Sequence, residues 1–70
     1  MTGPAGYLEV YESSRRSMFG RPYYRWRRIQ GGAVREISPK YYHRAWTAHR
    51  GALRAFPGLE VRHLPPPPHA

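Results

Sequence analysis

The run Tyr23-Tyr24-Arg25-Trp26-Arg27-Arg28-Ile29-Gln30-Gly31-Gly32-Ala33-Val34-Arg35-Glu36-Ile37 carries the signals of a β-hairpin. Gly31-Gly32 supplies two adjacent residues that tolerate positive φ, which is what a two-residue hairpin requires. The flanks are then the two strands of that hairpin, Tyr23 to Gln30 and Ala33 to Ile37. Side chains alternate along a strand, so Tyr24 and Trp26 share one face while Tyr23, Arg25 and Arg27 share the other. The large rings of Tyr24 and Trp26 belong toward a core. Arg28 interrupts that phase, and a bulge that turns Ile29 inward is the expected adjustment.

Before the hairpin, Tyr7-Leu8-Glu9-Val10-Tyr11 alternates in the same way and predicts a first, half-buried strand. Ser13 to Pro22 has no periodicity and reads as a mobile connection carrying Arg15, Arg16 and Arg21. On the other side, Ser38-Pro39 fits a helix start, with a later start near Tyr42 as the alternative. Tyr42, Ala45, Trp46, His49, Ala52, Leu53 and Phe56 then recur at spacings of three and four, one apolar stripe of a helix. Pro57-Gly58 stops it. Leu59 to Leu64 allows a short edge strand, and Pro65 to Ala70 reads as an extended polyproline tail. The sum is an α+β chain: a three-stranded antiparallel sheet packed on one face by a single C-terminal helix, with an optional last strand. Its parts are a flexible lead-in over 1–6, one basic domain over 7–64 and the tail over 65–70. Trp26, Tyr24, Trp46 and Phe56 are the expected core, because a domain of 70 residues needs large side chains to bury enough apolar area.

Twelve Lys and Arg against four Glu give a formal charge of +8, and eleven of the twelve cations are arginine. The calculated pI is near 10.9. Such a field attracts polyanions: nucleic acid, an anionic membrane surface or an acidic protein. A GC-rich genome favours Arg over Lys without selection for binding, but that bias does not explain the scarcity of acids. There is no cysteine, which excludes disulfides, zinc-thiolate sites and thiol catalysis. No stretch has the apolar length of a spanning helix and Met1 to Gly6 lacks a leader pattern, so a cytoplasmic location is expected.

Tyr24-Arg25-Trp26-Arg27, the Gly31-Gly32 hairpin, Tyr42 leading into a helix and Ala48-His49-Arg50-Gly51-Ala52 resemble the YegP-like family of small bacterial domains. The likeness spans Leu8 to Phe56. It implies a β-β-β-α unit of the kind often found in tandem pairs, and it implies no biochemical activity. Arg28 where the family has an apolar residue, Ala52 where it has Ile, and a longer Ser13 to Pro22 connection are departures from its pattern. In architecture alone the chain is also similar to three-stranded DNA-binding domains of plant transcription factors and to the arm-binding domains of phage integrases.

Catalysis has little to work with. There is no Asp or Cys, and Glu9, Glu12, Glu36 and Glu60 are scattered without an acid–base pairing. His43, His49, His63 and His69 lack the i, i+4 spacing of metal ligands on one helix face, and they read as unrelated surface or stripe histidines. His49, on the stripe, reads as a packed histidine with one hydrogen bond. No cofactor, small-molecule substrate or membrane partner is expected. Arg62 to Pro68 matches a basic-x-x-Pro-x-x-Pro ligand, against which stands the simpler reading of a disordered tail.

The uncovered sheet face is the candidate site. Arg forks onto phosphates or guanine edges and Tyr stacks on bases, so Tyr23, Arg25 and Arg27, with Arg15, Arg16 and Arg21 at the rim, suit nucleic acid, DNA before RNA. The bland reading is a solvated face with cross-strand pairs such as Arg25 or Arg27 against Glu9. The rival function is a small interaction module, of the kind phages encode, that docks on a host or acidic partner protein through the same residue types. Two free sheet edges and a thin core also point to a homodimer.

Overall fold

The computed structural model describes residues 6–66. Most of the lead-in and the last four residues of the tail therefore lie outside the described residues. Four strands and one helix follow in the order β1 (Tyr7–Arg16), β2 (Pro22–Gln30), β3 (Ala33–Ile37), α1 (Ala45–Ala55) and β4 (Val61–His63). The sheet order is β3-β2-β1-β4. β1 to β3 run antiparallel, as the hairpin signals predict, and the optional last strand forms beside β1 in parallel. The Leu8 N–H donates to the Glu60 carbonyl and the Leu64 N–H to that of Val10, at 2.8 and 2.9 Å, which ties β4 in at both ends. The result is an α+β fold, a mixed four-stranded sheet with one helix on it.

The hairpin turn is as read: Gly31 and Gly32 have φ of 61° and 76°. β1 corrects the reading of Ser13 to Pro22, because the strand continues to Arg16 and resumes pairing at Arg16 opposite Pro22 after an irregularity beyond Glu12. Buried Ser13 accepts the Arg15 N–H on its hydroxyl, which supports the backbone through that irregularity. What remains of the connection is a tight turn closed by Ser17 N–H to Arg21 carbonyl at 2.8 Å.

The bulge falls elsewhere than expected. Arg28 pairs with Glu36 and Ile29 with Val34, so Arg35 of β3 is the extra residue and β2 keeps its phase. Arg28 stays on the helix side, its guanidinium 5.2 Å from the Phe56 ring and its Nε on Glu36. Ile29 is buried, but outside the helix-side core and on the opposite face, between its ladder neighbours Tyr7 and Val34.

The core consists of Leu8, Val10, Trp26, Ala48 and Ala52, with Tyr24, Tyr42, Ala45, Phe56, Leu59 and Val61 packed against it. Trp26 meets Phe56 edge-on at 5.9 Å. Trp46 does not belong here. It is 63% exposed, because α1 turns its alanine stripe, Ala45-Ala48-Ala52, to the sheet and leaves Trp46 and Leu53 on its flank. Small residues on the helix and large rings on the sheet fill the same gap that a Trp on each side would overfill.

Ser38 does not cap the helix. Its N–H donates to the Trp26 carbonyl at 2.8 Å, and its hydroxyl accepts from the Trp26 N–H and donates to the Lys40 carbonyl, so the sheet uses its capping capacity. α1 starts at Ala45 behind Arg44, without a side-chain cap. Tyr42, read as the first stripe residue, instead forms an antiparallel bridge to Tyr24, with N–H to carbonyl bonds of 2.7 and 2.8 Å in both directions.

Candidate nucleic-acid interface

The helix covers one face of the sheet, and alternation assigns the other. Pairing of Glu9 with Arg27 and Arg62, of Tyr11 with Arg25, and of Arg27 with Ile37 places these residues together on the uncovered side. The Tyr24–Tyr42 bridge puts Tyr41 and His43 there as well, beside Tyr23.

Two regions of this face differ in electrostatics. Toward β4, Arg27 donates to Glu9 at 2.8 Å with its guanidinium 4.7 Å from the Tyr11 ring, and Arg62 lies 3.7 Å from the Tyr7 ring while holding Glu60 at 3.1 Å. The hydrogen bond and charge of Arg62 hold the Glu60 carboxyl below its ordinary range. Arg27 against Glu9 is thus the cross-strand pair that the bland reading names. At the other end, the Tyr23 ring lies 5.6 Å from Tyr41 and 5.3 Å from His43. The guanidiniums of Arg25 and Arg15 lie 4.4 and 5.5 Å from the centre of the Tyr41 ring. Arg25 is fixed further by donating to the Ser38 carbonyl and, at 3.4 Å, to the Tyr41 hydroxyl. It is half-buried, so its position is set before any ligand arrives.

Of the sequence-read residues, Tyr23, Arg25 and Arg15 converge on this second region. Arg27 is on the same face but charge-paired. Arg16 is drawn aside to Glu12 at 2.9 Å. Arg21 belongs to the rim, where it lines a cleft of about 650 Å³ with Ser17, Phe19, Pro22, His43 and Arg44. Sequence reasoning missed Tyr41 and His43, because placing Tyr42 on a helix hides the register that carries them. The repeated Tyr-Tyr pair, 23–24 and 41–42, was the available signal.

The four carboxylates each hold one arginine, Glu12 with Arg16, Glu9 with Arg27, Glu36 with Arg28 and Glu60 with Arg62. The remaining eight of the twelve cations have no carboxylate partner among the described residues. A second cationic groove, between α1 and the segment before it, is lined by Lys40, Tyr42, Thr47, Arg50, Gly51 and Arg54. Two of the histidines are not unrelated: His49 Nδ1 and His63 Nε2 share a 2.8 Å hydrogen bond, with Trp46 stacked on His49 at 5.5 Å. The described residues hold no group of three metal-ligating side chains, and no described helix is long and apolar enough to cross a membrane. His69 lies outside the described residues. Arg62 and His63, the basic start of the Pro-rich motif, are part of β4.

Comparison of the chain with protein-family models, with curated proteins and with solved structures finds no match in any of the three. What stands of the resemblance to YegP-like domains is the small β-β-β-α-β fold.

Proposed function

We propose that this chain is a cytoplasmic, non-catalytic nucleic-acid-binding module, with DNA preferred to RNA, that uses the uncovered sheet face around Tyr23, Arg25, Tyr41 and Arg15. The observation that carries the reading is the Tyr41 ring flanked by two guanidiniums that have no carboxylate partner among the described residues. Fixed cations meet phosphate without losing much side-chain entropy, and the exposed His43 ring beside Tyr23 offers stacking surface for a base. Arg21 extends the contact over the rim. A YegP-like ancestry is part of the proposal. It is supported by Trp26 at the centre of the core and Gly31-Gly32 in the hairpin.

The rival reading, docking on an acidic or host protein, draws on Met18 and Phe19, which are 90% and 83% exposed at the tip of the β1–β2 turn. Salt separates the two. Anisotropy with a labelled duplex, an RNA competitor and a salt series should show affinity falling steeply with ionic strength. Arg15→Ala with Arg21→Ala, both exposed and without carboxylate partners among the described residues, should flatten the slope by about two. Wild-type protein with no salt-sensitive binding would replace this function with the protein-docking one.

A further inference from the structure

β3 is an edge strand in which all five residues are exposed, and no strand of the described residues pairs with its outer side. Edges of this kind are usually blunted by charge, by proline or by a bulge. Here the bulge has a second effect. Because Arg35 is the extra residue, Val34 and Ile37, three apart in sequence, both fall on the uncovered face, where they are 46% and 47% exposed. Ladder phase is preserved as well. Ser38 N–H bonds inward to Trp26, so the N–H and carbonyl of Ile37 point outward, and the extra residue gives Val34 the same outward phase.

The sequence Val34-Arg35-Glu36-Ile37 is complementary to itself when reversed. Laid antiparallel on a second copy about a two-fold axis between Arg35 and Glu36, Val34 meets Ile37 of the copy twice, and Arg35 meets Glu36 twice. We propose that β3 is the homodimer interface of this protein, pairing with β3 of a second copy to form one continuous eight-stranded sheet. The two-fold axis of such a pairing is perpendicular to the sheet, so both uncovered faces lie on the same side. Glu36, already on Arg28, then bridges that residue and Arg35 of the copy. Each chain's charge of +8 opposes association, so added salt strengthens the dimer at the same time as it weakens phosphate contacts. The proposal stands independently of the nucleic-acid reading.

The test is sedimentation of nucleic-acid-free protein with charge-exchanged variants. Arg35→Glu alone faces Glu36 with a glutamate, and Glu36→Arg alone faces Arg35 with an arginine. Each should raise the dimer dissociation constant about tenfold or more. An equimolar mixture places opposite charges across both contacts and should recover wild-type affinity to within about threefold. Melting curves of each variant separate loss of pairing from loss of fold, since both side chains are exposed. Wild-type protein that stays monomeric at high micromolar concentration and moderate salt overturns the proposal. So does a mixture that associates no better than its components.

Discussion

Replacing Gly51 by Ala sets helix propensity against packing, and the structure decides the sign. Gly51 lies in the interior of α1, where Ala is intrinsically better by about 0.8 to 1 kcal/mol. A Cβ at that position would lie 2.7 Å from Cζ of Tyr42 and closer still to its hydroxyl, whereas ordinary contacts fall at 3.4 to 4 Å. The ring would have to retreat by roughly 1 Å. It cannot do so easily, because the Tyr42 backbone is held by both hydrogen bonds to Tyr24 and its ring packs on the core. Overpacking of this kind costs about 1 to 3 kcal/mol. The net expectation is destabilisation by about 0 to 2 kcal/mol, near 1 at the middle of both ranges, seen as a drop in Tm of several degrees for a domain this small. Thermal unfolding followed by circular dichroism measures it. The same substitution made in a Tyr42→Leu background should raise Tm relative to that background, because the obstacle is gone and the propensity gain remains. A Gly51→Ala protein that melts clearly above the wild-type temperature would refute the placement of Tyr42 over the helix.

The two tryptophans should separate cleanly. Trp26→Ala removes a ring that is 6% exposed and should cost about 3 to 5 kcal/mol, enough to unfold the domain, whereas Trp46→Ala should cost under about 1 kcal/mol; comparable denaturation midpoints would reverse the core assignment. Glu60 has its pKa lowered by Arg62, so the stability that this pair contributes is present above the ordinary carboxylate range and is lost as pH falls through the lowered value. Glu60→Gln should therefore flatten the acid limb of the Tm against pH curve slightly, and an unchanged limb would mean that the exposed pair contributes nothing.

The hairpin, the three antiparallel strands and the inward facing of Trp26 were legible because each rests on local rules: two glycines for a turn and period-two alternation for a face. The helix was legible only in its existence. Its stripe admits two phases a fraction of a turn apart, one presenting Trp46 and Leu53, the other Ala48 and Ala52, and hydrophobicity favours the first. The fold selects the second because the sheet already supplies the volume, a fact that belongs to the pairing of layers and not to the helix. Ser38 shows the same limit. A Ser-Pro step is a good helix start in isolation, but here the Trp26 backbone competes for the hydroxyl and wins. The candidate site was half legible: the face of Tyr23, Arg25 and Arg27 followed from alternation, while Tyr41 and His43 depended on a single long-range bridge that no local pattern announces.

How the arginines are held decides where the face is positive. An arginine fixed by a glutamate is in place but its charge is cancelled, whereas one fixed by a tyrosine ring or a carbonyl is equally placed and keeps its charge. Arg27 and Arg62 have both kinds of partner, so the β4 side of the face is nearly neutral despite its guanidiniums. Arg15 and Arg25 are held by the Tyr41 ring, and Arg25 also by the Tyr41 hydroxyl and the Ser38 carbonyl. The field of the sheet therefore concentrates at the Tyr23–Tyr41–His43 end, next to the rim that carries Arg21. Placing an acid in that cluster is a sharper probe than removing a cation, because Tyr23→Glu leaves every guanidinium in the sequence and still lowers the potential at the rings. If this end of the face meets the duplex, Tyr23→Glu weakens binding in the anisotropy assay more than Arg27→Ala does. The reverse order would move the contact to the β4 side.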